Sequence, residues 1–322
     1  MRDISLRQLR VVAAVAKTGK ILAAADLLGV TPPAVTLQLK QLEQNVGMGL
    51  FERTRDGMKL TAAGHHLMES VHRIDAELAS FAEGFNAMRG LKGGSVSIGV
   101  VSTAKYFAPA ALGVFKRAHP EVELKLLVAN REETIRALGA LELDLAIMGR
   151  PPEKLDLNSA LLGDHPHIII AAPDHRLAGR SSLPIDELRS ETFLVREPGS
   201  GTRMLMERLF AEAAIAPQLG MEISSNETIK QAVMAGLGMA FISAHTVAAE
   251  IEMRRLSVID LVGLPVVRQW RVVHHREKRL MPAADALWQF LEREGQAFLP
   301  RFCPPPPLDA AKQQRRANRT RR

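Results

Sequence analysis

Val30–Gly57 reads VTPPAVTLQLKQLEQNVGMGLFERTRDG, and its punctuation decides how the first part of the chain folds. Two prolines stand directly before an amphipathic run. Proline is tolerated only in the first turn of a helix, where the amides have no internal partner, so Pro32 and Pro33 fix a helix start with Thr31 at the capping position. Within that helix Val35, Leu39 and Leu42 form a buried stripe at spacings of four and three, leaving Thr36, Gln38, Lys40, Gln41 and Gln44 mostly outside. Gly47 and Gly49 end the run, and Leu50 and Phe51 resume burial. Glu52–Lys59 then folds back around Asp56–Gly57 as a tight basic turn carrying Arg53, Arg55 and Lys59.

Working outward, SLRQLRVVAAVAK (5–17) places Leu6, Leu9, Val12, Ala13 and Ala16 on one helical face behind a capping Ser5, and Gly19 stops it. Ile21–Leu28 is a second short helix ended by Gly29. Three helices and a basic loop within 60 residues define a winged helix-turn-helix, whose third helix enters the major groove of duplex DNA. Hydroxyls, amides and ammonium groups at Thr31, Thr36, Gln38, Lys40 and Gln41 are the types that read base edges or hold phosphates. Arg53, Arg55 and Lys59 suit backbone or minor-groove contact, and Lys20 with the start of the second helix suits a further phosphate.

From Thr61 a helical run reaches Met88, with Leu67, Val71, Ile74, Leu78, Phe81, Phe85 and Met88 recurring at spacings of three and four. Its length and its single stripe predict a linker helix (61–89) that pairs with a copy of itself. Gly90–Gly94 marks a boundary. Beyond it strands alternate with helices. Strands are expected at 95–101, 122–129, 143–149, in HIIIAAP after Pro166, in MEISS and AFISA, and at 267–275. Helices are expected at 103–116, 131–140, 201–214, 227–235 and 282–299. That alternation predicts an open, mostly parallel α/β sheet in two similar lobes, 90–162 with 266–300 and 163–265, with a cleft between them.

In such folds, residues that end a strand and open a helix face the crevice. Ser102, Thr103, Asn130, Arg150 and Asn226 occupy those positions. EPGSGT (197–202) adds Glu197, Ser200 and Thr202 before a helix, with Arg196 and Arg203 alongside. Hydroxyls, amides and arginines at helix starts suit a phosphate or carboxylate ligand. No glycine fingerprint of a dinucleotide fold or phosphate loop is present.

Charge is distributed unevenly. The net +7 of the 322 residues comprises +4 in residues 1–66, +6 in 301–322 and −3 in the middle. Basicity at both ends and a near-neutral body fit a small polyanion-binding head on a body with another task. Residues 301–322, with Pro304–Pro307 and KQQRRANRTRR, read as a disordered basic tail. A single cysteine, Cys303, excludes a disulfide framework and fits a reducing cytoplasm. The start, MRDISLRQLRVV, lacks a signal-peptide core, and no membrane span is expected. The adjacent pairs His65–His66 and His274–His275 lack metal-ligand spacing, since neighbours point apart. No nucleophile motif is present, so neither a catalytic site nor a resident cofactor is expected. A solute-binding protein would have the lobes without the head, and an architectural DNA binder the head without the cleft.

The run AAADLLGVTPPAVTLQLKQLE (23–43), followed by Gly47 and LFER (50–53), resembles the LysR-type transcriptional regulators, and the resemblance extends from residue 5 to about 295. It departs from that pattern at Pro32, where Gln is common, and at Thr36, where Ser is usual. It implies a winged helix-turn-helix, a long linker helix and a two-lobed α/β domain like the periplasmic binding proteins. It also implies assembly as dimers and tetramers on an operator, and contact with RNA polymerase. STAKYFAP (102–109) and IMGRPP (147–152) look like the subgroup that controls Calvin-cycle operons, including the RuBisCO genes. Its effectors would be small anions such as ribulose bisphosphate or NADPH. Control of another pathway through a small carboxylate is the alternative.

Overall fold

The computed structural model describes residues 4–55, 57–88 and 93–302. The tail from Cys303 onward, Asp56 and residues 89–92 lie outside the described residues. The chain divides into two compact units, residues 1–89 with 140–142, and the remainder.

In the first unit, α1 (Leu6–Thr18), α2 (Ile21–Leu28) and α3 (Pro32–Val46) precede a hairpin of β1 (Phe51–Thr54) and β2 (Gly57–Leu60), and α4 (Ala62–Met88) follows. Ser5 starts α1 with a reciprocal cap: its hydroxyl accepts from the Gln8 amide, and the Gln8 side chain accepts from the Ser5 amide. Thr31 occupies the position before α3, but its side chain makes no capping bond. A capping oxygen normally takes the second or third helical amide; Pro33 has none to give, and the Ala34 amide donates instead to the Thr31 carbonyl at 3.0 Å. Thr61 does cap α4, accepting from the Gly64 amide at 3.1 Å while donating to the Gly49 carbonyl at 2.8 Å.

Val12, Val15, Ala24, Val35, Leu42 and Leu50 are the centre of this unit's core, and Met68 and Val71 of α4 close it. The hairpin is tied to α1 where the Met58 amide donates to the Gly19 carbonyl at 2.8 Å. Gly57 has φ +130°, and a Cβ there would lie 2.4 Å from that same carbonyl oxygen, so the turn requires glycine. Further along α4, Ile74, Leu78 and Phe81 are exposed.

The second unit begins with β3 (Gly94–Val101), α5 (Ala108–Ala118), β4 (Val122–Ala129), α6 (Arg131–Gly139) and β5 (Leu145–Met148). It continues through β6 (Leu157–Ala171), β7 (Thr192–Val195), α7 (Gly201–Glu212), β8 (Gln218–Glu222), α8 (Asn226–Met234), β9 (Ala240–Ser243), α9 (Ala248–Glu252), β10 (Ser257–Val258), β11 (Val266–His275) and α10 (Pro282–Glu294). Seven strands form one sheet in the order β10-β6-β11-β5-β3-β4, with β9 also on β6. Only β3–β4 and β3–β5 are parallel there. β11 runs antiparallel to β5 and β6, as do β9 and β10 to β6. The sheet is therefore mixed, which corrects the mostly parallel expectation. The reason is that β11, ten residues long, pairs along its whole length with Leu157–His167 of the fifteen-residue β6, and β6 runs on to β9 and β10, so the pair threads both lobes.

β6 begins ten residues before the expected strand. Pro166 is tolerated within it because the ladder to β9 starts only at His167. Lobe I packs Ile98, Ile147, Phe115, Trp270 and Leu287 into one core. Lobe II buries Phe193, Phe210 and Phe241 on one side of its strands, and Ile168, Val233 and Ile242 on the other. Among the described residues no single helix is long and apolar enough to cross a membrane.

Candidate functional site

α3 presents one continuous exposed stripe. Pro33, Thr36, Lys40 and Gln44 recur along it with Leu37 and Gln41 beside them, opposite the buried Val35, Leu39 and Leu42. Thr36 donates its hydroxyl to the Pro32 carbonyl at 3.1 Å, which leaves the oxygen's lone pairs facing outward. Gln38 is half-buried and lines a groove with Arg7 and Arg10 of α1. Lys20, Thr31, Arg53, Arg55 and Lys59 are exposed, and Pro32 is half-buried. In the hairpin Arg53 faces Met58 and Glu52 faces Lys59. Arg53 and Lys59 therefore stand on opposite faces. Leu37, 54% exposed, and Arg7 and Arg10 were not singled out from sequence. An apolar side chain on an outward helical face was the available signal for Leu37.

In the second unit a cleft of about 430 Å³ opens between the lobes. Of the residues expected there, Ser102, Thr103, Arg150, Ser200 and Thr202 line it. Ser102 and Thr103 end β3, but only a three-residue 3₁₀ turn follows before α5 starts at Ala108, so no helix of useful length opens at Thr103. The anion-favouring helix start is that of α7, with Ser200 at the capping position but making no side-chain cap, and Gly201 and Thr202 in its first turn.

Asn130, Glu197 and Asn226 are engaged inside the protein instead. Asn130 caps α6, accepting from the Glu133 amide at 2.9 Å. Glu197 holds the buried Arg196 through two bonds of 2.8 and 2.9 Å. Arg196 also donates to Asn226 and, at 3.1 Å, to the Ser102 hydroxyl, while Asn226 donates to the Ser102 carbonyl at 3.2 Å. Arg196 is thus a tie between lobes, joined by the pair Tyr106–Glu227. Arg203 is spent on Glu207, Glu222 and the Arg196 carbonyl.

The cleft's main charges come from residues that sequence reading passed over. Arg131, Lys154, Arg208 and Arg268 join Arg150 on its walls, against the lone carboxylate of Glu153, which pairs with Arg150 at 2.6 Å. Burial pulls the Arg131 and Arg268 guanidiniums below their usual range. Arg150 repels both, and Arg208 also repels Arg268. Arg268 makes no ion pair among the described residues. Crowded cations of this kind are relieved by an incoming anion. The floor is aromatic: His165 stacks on Trp270 at 3.7 Å and lies 4.1 Å from the His167 ring. Among the described residues no cluster of His, Cys, Asp and Glu is placed to hold a metal.

A basic helix-turn-helix head, an apolar linker helix and a cationic two-lobed cleft define a ligand-responsive DNA-binding regulator. The chain belongs to the LysR family: residues 6–65 match the bacterial regulatory helix-turn-helix protein, lysR family, and residues 89–296 the LysR substrate binding domain. It is 54% identical over 300 residues to the HTH-type transcriptional regulator CbbR of Xanthobacter flavus, covering 92% of this chain and 90% of that protein. It is 41% identical over 291 residues to the RuBisCO operon transcriptional regulator of Allochromatium vinosum, covering 90% and 96%. Among solved structures it resembles the Synechocystis PCC6803 CcmR regulatory domain in complex with 2-PG. That match has 37% identity and a TM-score of 0.60, and spans 62% of this chain and 96% of that one.

Proposed function

We propose that this regulator controls carbon-fixation genes, RuBisCO operon genes among them, in response to a small anionic metabolite bound between its lobes. The identity to CbbR and RuBisCO-operon regulators over nine-tenths of the chain supports the gene class. The observation that carries the ligand class is the cleft's five cations against one carboxylate. Ribulose bisphosphate and NADPH are the candidate effectors. A cleft of about 430 Å³ favours the sugar bisphosphate over a whole dinucleotide.

On this reading the α3 stripe, with Thr36, Lys40 and Gln41, enters the major groove. Arg53, Arg55, Lys59 and Lys20 hold phosphates around it. The uncovered Ile74, Leu78 and Phe81 of α4 join two copies. The edge strand β4, which exposes Leu126, Leu127 and Val128, adds a second surface toward a tetramer. The anion stabilises the closed lobes, closure re-spaces the paired heads, and the altered DNA bend changes access for RNA polymerase.

The test is fluorescence anisotropy on a duplex from upstream of a RuBisCO operon, with ribulose bisphosphate or NADPH titrated in. The reading expects operator affinity or DNA bend angle to change with one of them, and Arg268→Gln to abolish that response. A response intact in Arg268→Gln would remove the cleft from the mechanism.

A further inference from the structure

His165 lies on the floor of the cleft with both ring nitrogens buried and neither one hydrogen-bonded. Buried polar atoms almost always find partners, so an imidazole with two idle nitrogens calls for an explanation. Its neighbours cannot serve it. His167 gives its Nδ1–H to the His165 carbonyl at 3.1 Å, and the His245 Nδ1 accepts from Trp270 at 3.0 Å. Trp270 and His167 cover the ring faces, so only the ring edge remains.

The backbone of Gly149 stands against that edge. A Cβ built there would stand 3.1 Å from the His165 Nδ1, and Gly149 and His165 line the same cleft. Both nitrogens are closed to solvent with glycine there, and a larger residue at 149 would press on the ring and hold the edge shut. The β6–β11 register sets Arg268 directly opposite His165, so a group reaching that guanidinium also reaches the imidazole edge.

The groups facing His165 are His167 on its own strand, Arg268 from β11, His245 from the turn after β9, and Arg150 beside Gly149. Burial, the two histidines and Arg268 all disfavour a positive charge on it. A neutral imidazole brings one N–H and one lone pair, so it adds direction to the site where the arginines add charge.

We propose that His165 is an effector-reading residue: when ligand enters, the backbone at Gly149 shifts off the ring edge and the imidazole donates its N–H to an oxygen of a small multiply charged anion whose charge the arginines balance. The inference rests on the cleft being the effector site. Its consequence is that the pocket selects an anion able to put one oxygen on the floor, beyond mere negative charge.

The experiment uses the full-length protein and three probes: ribulose 1,5-bisphosphate, 3-phosphoglycerate and inorganic phosphate. Affinities come from calorimetry, and the unfolding midpoint without ligand from tryptophan fluorescence. His165→Phe keeps the stack on Trp270 and removes both nitrogens. It should leave that midpoint unchanged or raised, and weaken the tightest probe tenfold or more. Gly149→Ala should weaken the same probe similarly with the histidine intact, and Arg268→Gln should weaken all three. If His165→Phe and Gly149→Ala bind within twofold of the parent while Arg268→Gln fails, the inference is overturned and the cleft reading survives. If no probe binds the parent, or Arg268→Gln binds as well as it does, the cleft reading falls and takes the inference with it.

Discussion

Lowering the pH from 7.5 to 5.5 should cost the two-lobed unit about 3 kcal/mol of stability, through two histidines that cannot charge in place. Burial lowers His167 from an ordinary 6.5 to about 3, against the pull of backbone hydrogen bonds from His165 and Val266. Burial likewise lowers His245 to about 4, with Asp164 opposing weakly. Above pH 6.5 both are neutral whether the chain is folded or not, and their contribution is fully present. As the pH falls below 6.5 the unfolded chain takes up protons that the native state refuses, so stability is lost until the folded values are reached. One pH unit below the unfolded value, each site forfeits about 1.4 kcal/mol. His165 shifts in the same direction and deepens the loss.

The assay is urea unfolding followed by tryptophan fluorescence. The chain's two tryptophans, Trp270 and Trp288, both lie in this unit, so the signal ignores the DNA-binding head. His167→Phe keeps an aromatic ring against Phe241, where the two rings now stack at 5.5 Å, and removes one titrating site. The variant should lose about 1.4 kcal/mol less than the parent over the same pH span. An equal loss in both proteins would show that His167 titrates normally, and would refute the reasoning.

Three further outcomes are expected. Arg53→Ala should weaken binding to every duplex and lower the salt slope by about one phosphate contact, whereas Thr36→Val should cost roughly 1–3 kcal/mol on operator and little on random DNA; anisotropy at several salt concentrations separates the two, and equal losses for Thr36→Val would end its base-reading role. Leu78→Glu, on the uncovered face of α4, should shift the protein toward monomers in sedimentation velocity, and an unchanged mass would remove that face from assembly.

The head was legible because each of its signals is local. Ser5 and Gln8 cap across one turn, Gly19, Gly29 and Gly47 end the helices, and Thr61 starts α4. The expected cap at Thr31 does not form, because Pro33 brings no amide to the second helical position and the Ala34 amide turns to the Thr31 carbonyl. In the body, strand existence was legible and strand direction was not. A buried run such as Leu145–Met148 looks the same to its neighbours whichever way they run, and the β6–β11 pairing joins residues about a hundred positions apart. Gly163, Asp164 and Pro166 also interrupt the apolar run that would have announced the first half of β6.

The cleft divides along the same line. Ser102, Thr103, Ser200 and Thr202 were legible because a strand end or helix start marks them locally. Arg268 and His165 were not, because they sit mid-strand, where no strand end or helix start marks them locally. What brings them together is a register, in which Arg268 on β11 faces His165 on β6, and no local pattern encodes it. Composition hides the charge as well. Residues 67–300 sum to −3, yet the cleft gathers four arginines and a lysine against one carboxylate. Net charge averages over a surface, whereas an anion feels what faces inward at short range, where a low dielectric magnifies each guanidinium. A near-neutral body can therefore hold a strongly cationic site, because its surplus of carboxylates, Glu187 and Glu207 among them, pairs with arginines elsewhere on the surface and leaves Arg268 for the cleft.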